Sequence, residues 1–220
     1  MKAKENSILV RGRVFLILYL GFLLLSGSIL ILFSKGNIHL WINGHHSALG
    51  DWFFTNVTII GDGIFSLAIA LVLLFFELRR SIVLLLSWMV SGIIVQILKI
   101  YIFSNVPRPV TYFQGSAILH LVAGIKHYAW QSFPSGHSAS VFALFLCLSI
   151  YMKNRLAQCI FFLVAVIVAY SRMYLSEHFL IDVTGGSLIG ICIAWLFLYL
   201  IYLRNPYPVL SKSIISLMKK

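Results

Sequence analysis

The sequence predicts an all-α membrane protein, a polytopic bundle of six transmembrane helices that forms a single domain over residues 1–220. Hydrophobic residues make up 60% of the 220 residues and charged residues only 10%, and the mean hydropathy of +0.97 is too high for a soluble domain. The apolar residues also fall into continuous runs of about 20, the length that a helix needs to cross a bilayer. A closed β-barrel would show alternating strands of about ten residues instead.

The six predicted spans cover residues 14–34, 53–76, 81–103, 135–152, 156–175 and 179–203. Short polar turns separate most of them, and residues 104–133 form one long connection. The first span is longer than the apolar core of a signal peptide and has no convincing cleavage site after it, so we expect it to remain as an anchor.

Basic residues are distributed unequally between the two sides of the membrane. Twelve of the seventeen fall on the side of the N-terminus: Lys2, Lys4, Arg11, Arg13, Arg79, Arg80, Lys153, Arg155, Arg204, Lys212, Lys219 and Lys220. The positive-inside rule then places both termini in the cytoplasm, with a basic cytoplasmic tail over residues 204–220. This orientation signal and attraction to anionic lipids of the bilayer explain the net charge of +11. No soluble face carries the contiguous basic surface that nucleic-acid binding needs.

The five remaining basic residues are Lys35, Lys99, Arg108, Lys126 and Arg172, on the outer side. Three of them, Lys99, Arg108 and Arg172, stand at or near span ends, where an unpaired cation is costly and needs a partner or an anion. Arg108 lies between two prolines and presents a planar donor suited to phosphate oxygens. Snorkelling to headgroups would explain any one of them alone.

His178 and Asp182 form an i, i+4 pair at the outer start of the last span. A carboxylate at this distance can fix one imidazole nitrogen and leave the other as a nucleophile or base. Ser135 and Gly136 begin the fourth span, where exposed N–H groups and the helix dipole favour an anion. His137 can then donate a proton to a leaving oxygen. Together with the three cations, these residues predict a phosphoryl-transfer site on the outer side.

The motifs resemble the three-part signature of the type 2 phosphatidic acid phosphatase superfamily, between residues 99 and 182. The first part is Lys99 with Arg108-Pro109, the second is Pro134-Ser135-Gly136-His137, and the third is Ser171-Arg172 followed by His178 and Asp182. The first part departs from the family, since eight residues separate Lys99 from Arg108 where six are usual. We expect the turn at Ser104-Asn105 to absorb the difference.

The resemblance implies a membrane lipid phosphatase that works through a phosphohistidine. His178 would be the nucleophile, Asp182 its orienting carboxylate and His137 the acid for the leaving oxygen. The phosphoryl oxygens would be held by Lys99, Arg108, Ser135, Gly136 and Arg172. No metal or cofactor is expected, since side chains supply the positive charge and Asp182 is the only carboxylate assigned to the site.

Two weaker signals accompany the site. Asp62, within Gly61-Asp62-Gly63, could support the site, because intramembrane carboxylates are functional suspects, or could mark a structural turn. The five histidines of the outer segments are read as solvated loop residues: His39, His45, His46, His120 and His127.

The substrates that the resemblance implies are lipid phosphomonoesters or diphosphates: undecaprenyl diphosphate, phosphatidylglycerol phosphate, phosphatidate and lipid A phosphates. Short turns favour a bacterial inner membrane with the site facing the periplasm, and a luminal organelle face is the alternative. A lipid-dependent phosphotransferase with the same site and a non-enzymatic transporter or scaffold stay open as other functions. The sequence predicts no oligomeric state.

Overall fold

The computed structural model describes residues 8–204 and 208–218, and within these ranges it contains helices and no β-strand. Eight helices form its frame: α1 (Arg13–Leu32), α2 (Lys35–Gly44), α3 (Ala48–Val57), α4 (Gly63–Leu74), α5 (Leu78–Ile97), α6 (Gly136–Met152), α7 (Arg155–Tyr174) and α8 (Leu180–Phe197). Turns of π-helix extend α5 through Leu98–Ile102 and α8 through Leu198–Leu203. Short helical segments occupy Ile8–Arg11, Pro109–Tyr112, Pro208–Ser211 and Ile214–Met218.

Four helices in the described chain are long and apolar enough to cross a membrane: Arg13–Leu32, Leu78–Ile102, Arg155–Tyr174 and Leu180–Leu203. They lie where four of the six spans were predicted. The predicted span over residues 53–76 is divided into two helices. Helices α3 and α4 meet there at a bend of 52° around the 3₁₀ turn Thr58–Gly61, and could count together as a fifth span.

Helix α6 corresponds to the remaining predicted span. At 17 residues it is short for a crossing, since it would measure about 26 Å against a hydrocarbon core of about 30 Å. Its side chains are buried on nearly all faces, because α5, α7 and α8 pack around it. The core of the protein is therefore built on the helix that carries the second motif.

Helix α6 packs against α8 at backbone distance. A Cβ atom on Gly186 would lie 2.2 Å from the carbonyl oxygen of Ser135, and one on Gly190 would lie 2.2 Å from that of Ala139. Only glycine fits at these two positions. The pair Gly186 and Gly190 thus joins the helix of the second motif to the helix that carries Asp182.

The two ends of the bundle differ in character. Lys99, Arg108 and Arg172 belong to the end where α5 and α7 finish and α6 and α8 begin. At the opposite end, Arg79 donates to the Tyr202 carbonyl at 3.2 Å, and the Arg80 carbonyl accepts from Tyr151 at 3.0 Å. These three predicted outer cations and the predicted cytoplasmic pair Arg79 and Arg80 therefore lie at opposite ends of the bundle. Lys2, Lys4, Lys219 and Lys220, and residues 205–207 of the predicted basic tail, lie outside the described residues.

Two of the histidines that we expected to be solvated are instead enclosed. His39 is 1% exposed, its Nε2 lies 3.2 Å from Ser176 Oγ, and burial lowers its pKa to about 4. His127 lies with Nδ1 3.0 Å from Glu177 Oε1, an ion-pair distance without hydrogen-bond alignment. The prediction was wrong because α2, which carries His39, packs over the loop after α7, and the long connection, which carries His127, covers Glu177. Both contacts join segments that are far apart in sequence, so local sequence does not reveal them.

Candidate active site

The carboxylate of Asp182, in the third motif, is fixed by hydrogen bonds at the start of α8. Its Oδ2 accepts a hydrogen bond from the Phe179 backbone N–H at 2.8 Å, which caps the start of α8, and another from Ser132 Oγ at 2.5 Å. His178 Nδ1 lies 3.4 Å from the same oxygen, and both side chains are almost fully buried. The carboxylate is held by two neighbours, so it can fix the orientation of the imidazole, as the i, i+4 spacing predicted.

His178 lies in the loop that joins α7 to α8, and its imidazole is buried. Burial lowers its pKa to about 3, and the nearby Asp182 carboxylate opposes this effect without overcoming it. His178 is therefore neutral near pH 7. With Nδ1–H directed at Asp182, Nε2 carries the lone pair that a nucleophile requires.

The second motif meets the third through the backbone. The Ser135 N–H donates to the Asp182 carbonyl at 2.9 Å, and Ser135 Oγ caps α6 by accepting from the Ser138 N–H at 3.4 Å. Gly136 and His137 form the first turn of α6. This arrangement places the positive end of the α6 dipole beside the His178 and Asp182 pair.

His137 has a carboxylate partner of its own. Its Nε2 lies 2.9 Å from Asp62 Oδ1, at the break between α3 and α4. Both side chains are partly exposed, His137 at 26% and Asp62 at 49%. The structure thus brings Asp62 to the site, which the sequence left open.

Arg108 and Arg172 converge on a carboxylate that the motifs do not contain. Glu177 is 2% exposed, and its Oε2 accepts from Arg108 at 2.5 Å and lies 3.5 Å from Arg172. Arg108 is held by the long connection, since its Nε donates to the Trp130 carbonyl at 3.1 Å. Arg172 also donates to Thr58 Oγ1 at 2.8 Å. The two guanidinium groups are thereby fixed side by side.

A tight loop presents Glu177 and His178 together. The backbone N–H groups of both residues donate to the Arg172 carbonyl, at 3.0 and 3.1 Å. Ser176 just before them adopts a left-handed conformation with φ of 55°, which turns the chain sharply. The five-residue interval between Arg172 and His178 is therefore a closed turn that returns the histidine to the arginine.

Lys99 also belongs to the site. It is 9% exposed and lies in the π-helical turn Leu98–Ile102, close enough to His178 and Asp182 to act on them electrostatically. The lengthened interval before Arg108 contains the rest of this π-turn and the turn at Ser104-Asn105. A π-turn holds more residues per turn than an α-helix, so it can absorb an insertion without moving the lysine away.

Sequence reasoning missed Glu177, Ser132 and Thr58. Glu177 had one usable signal, since the chain has only six acidic residues and this one directly precedes the proposed nucleophile. With Asp62 and Asp182, it puts three of the six into the site. No feature of the sequence indicated Ser132 or Thr58, because serine and threonine are common at helix ends.

Comparisons with known proteins show the family to which the chain belongs. The sequence model of the PAP2 superfamily matches residues 80–206, more than half of the chain. The structure resembles that of Aquifex aeolicus LpxE, with a TM-score of 0.66, 30% identity, and coverage of 74% of this chain and 93% of that one.

Two proteins of Bacillus subtilis are also similar. Phosphatidylglycerophosphatase B is 34% identical over 83 residues, which span 34% of this chain and only 41% of that protein. A crystal structure described as the first transmembrane PAP2 type phosphatidylglycerolphosphate phosphatase shares the fold, with a TM-score of 0.63, 23% identity, and coverage of 88% of this chain and 97% of that one. The chain belongs to the PAP2 superfamily.

Proposed function

We propose that this protein removes phosphate from a membrane lipid through a phosphohistidine formed on His178. The observation that carries the proposal is the buried His178 imidazole, held by Asp182 in a cluster with Lys99, Arg108 and Arg172. A neutral nucleophile beside three cations suits attack on an anionic phosphorus centre.

The mechanism assigns one role to each group. His178 Nε2 attacks phosphorus while Asp182 stabilises the positive charge that develops on the ring. His137 gives its proton to the leaving oxygen, so the P–N bond forms as the P–O bond breaks. Water then cleaves the P–N bond, releases phosphate and returns His178 to its neutral form. His137 acts as the base for that water and recovers its proton.

The phosphoryl oxygens are bound by side chains and by the start of α6. Lys99, Arg108 and Arg172 supply positive charge, while Ser135 and the N–H groups near Gly136 supply hydrogen bonds. In this scheme the side chains perform the electrostatic work of a metal pair, and the reaction proceeds without metal.

A lipid substrate fits the surroundings of the site. An apolar groove runs between α1, α2, α7 and α8, lined by residues that include Phe33, Ile38, Trp41, Met173 and Leu180. Met173 adjoins Arg172 in sequence, and Leu180 lies two residues after His178, which suits a tail in the groove with its head at the site. Trp41 is 65% exposed, as expected for an aromatic anchor at the headgroup level.

The lipid to test first is phosphatidylglycerol phosphate, because the Bacillus subtilis relative carries that activity in its name. Phosphatidate, undecaprenyl diphosphate and lipid A phosphates form the rest of the panel. The topology in this proposal is one domain of six spans over residues 1–220, with both termini in the cytoplasm and the site on the periplasmic side of a bacterial inner membrane. Separation of the cations between the two ends of the bundle supports this orientation.

The test is phosphate release from each lipid by purified protein in detergent, with His178→Ala and Asp182→Ala as variants. We expect His178→Ala to abolish turnover and Asp182→Ala to leave a small residual rate, since phosphate binding survives. Full turnover by folded His178→Ala protein would exclude the phosphohistidine. Transfer of phosphate to an added alcohol in preference to water would indicate a phosphotransferase instead.

A further inference from the structure

The break in the second apolar segment contributes to the site although the three family motifs do not include it. Thr58 and Asp62 are four residues apart on this break, on either side of Gly61. Thr58 Oγ1 accepts from Arg172 at 2.8 Å, and Asp62 Oδ1 lies 2.9 Å from His137 Nε2. The break therefore touches one group that binds phosphate and the group that donates the proton.

The two glycines around Asp62 make this approach possible. A Cβ atom on Gly61 would lie 3.0 Å from His137 Cδ2 and 2.8 Å from Val168 Cγ1, and one on Gly63 would lie 2.6 Å from Trp88 Nε1. Any side chain at these positions would push the break away from its neighbours. The Gly61-Asp62-Gly63 sequence thus sets Asp62 against His137.

The alternative role of Asp62 is to cap α4, for which aspartate is a preferred residue. Asp62 does occupy that position, with extended backbone, but its side chain makes no capping hydrogen bond to α4. The carboxylate contacts His137 instead. A purely structural turn does not explain this choice of partner.

We propose that Asp62 is the positioning residue of His137 in the first step of the reaction. This inference rests on the proposed function. With Nε2–H held by Asp62, Nδ1 is the nitrogen that donates its proton to the leaving oxygen, and the negative charge of Asp62 favours the imidazolium that must exist before attack. Asp62 itself stays ionised throughout. Each histidine of the site then has its own carboxylate, Asp182 for the nucleophile and Asp62 for the acid.

Other groups around His137 also affect whether its imidazole is neutral or protonated. Burial is the largest effect and disfavours the imidazolium, as does Arg172 from α7, while Asp62, and Glu177 from the loop after α7, favour it. Asp62 is the carboxylate in hydrogen-bond contact. Its removal should therefore shift the alkaline limb of the pH–rate profile to lower pH, because the acid would lose its proton more readily.

The dependence on the leaving group tests the proposal. A lipid phosphate leaves as an alkoxide and needs a proton, whereas p-nitrophenyl phosphate leaves as a stable phenolate and needs little help. We expect Asp62→Asn to lower kcat/KM for the lipid by about 10 to 100 fold, a fraction of the roughly 100 to 10,000 fold that a general acid contributes. The aryl substrate should lose less than about threefold, and Asp62→Glu should recover part of the lipid activity.

Two further variants sharpen the comparison. Asp51→Asn removes the same charge from the same broken segment, but Asp51 pairs with His120 and Tyr174 and does not touch His137. It should leave the ratio of lipid to aryl activity unchanged. In a His137→Ala background, Asp62→Asn should add no further loss on the lipid, since the group it positions is absent.

The outcomes separate this inference from the proposed function. Equal losses on both substrates, including loss of both through misfolding, would assign Asp62 a structural role and overturn the proposal. The proposal would also be overturned if the Asp62→Asn protein kept its full lipid activity while turnover still depended on His178. Turnover that survives His178→Ala would overturn the proposed function itself.

Discussion

Replacing Glu177 with glutamine should loosen the site and, at the same time, strengthen its binding of phosphate. The substitution keeps the shape of the side chain and removes the charge that Arg108 and Arg172 share. Breaking a buried ion pair by removing one partner costs about 3 to 5 kcal/mol. The glutamine oxygen can still accept from Arg108, so we expect the lower end, about 3 kcal/mol, or a fall in Tm of about 6 to 12 °C for a chain of this size.

Phosphate should reverse this loss. Once Glu177 is neutral, the two guanidinium groups have no internal anion to balance them, and inorganic phosphate can take that place. We expect its inhibition constant to fall on the order of tenfold, which corresponds to about 1.4 kcal/mol. The assay is thermal unfolding in detergent with and without phosphate, combined with phosphate inhibition of lipid turnover.

Glu77→Gln is the matched control. Glu77 also bridges two arginines, Arg79 and Arg80, with contacts of 2.5 Å, but at the other end of the bundle. Its neighbours are more exposed, so its loss should lower Tm less and leave phosphate inhibition unchanged. If the Glu177→Gln protein kept the Tm and the phosphate inhibition of the wild type, the bridge between Arg108 and Arg172 would be refuted.

Three further predictions concern pH, metals and sidedness. Because the pKa of His178 is lowered to about 3, its contribution to stability is complete above pH 6.5 and is lost as the pH falls, on the order of 2 kcal/mol by pH 5, so thermal unfolding of His178→Gln should depend less on pH between 6.5 and 5. Activity should persist in excess EDTA and be inhibited by vanadate, and recovery that requires added magnesium would contradict the metal-free scheme. A cysteine at Ser116 should react with an impermeant thiol reagent in spheroplasts and one at Asn154 should not, and the reverse pattern would invert the topology.

The sequence was sufficient for those parts of the site that depend on local spacing. The interval between His178 and Asp182 fits one helical turn, and the side chains of the three motifs stand at span ends on one predicted side. Helix packing then brings them together, as expected from that placement. The spacing alone was enough to predict that these residues lie close together, because it rests on a short-range regularity of the helix.

Contacts between distant segments could not be read in the same way. Asp62 and His137 are 75 positions apart, and no periodicity relates them. Glu177 and His127 meet because the long connection folds back over the loop after α7. The sequence did not predict the bend between α3 and α4 either, since residues 53–76 have the composition of a single apolar run.

The glycine contacts between α6 and α8 have a consequence for how substrate preference can diverge. The spacing between the acid and the nucleophile is set where two main chains touch, with no side chain between them to be lengthened or shortened. Substitution can therefore change this spacing only by breaking the contact between α6 and α8 at Gly186 or Gly190. The groove beside α1 and α2 has no such constraint, because its walls are exchangeable side chains such as Ile38 and Trp41. A change in the lipid recognised would then be made in the walls of the groove, while the reacting groups keep their positions.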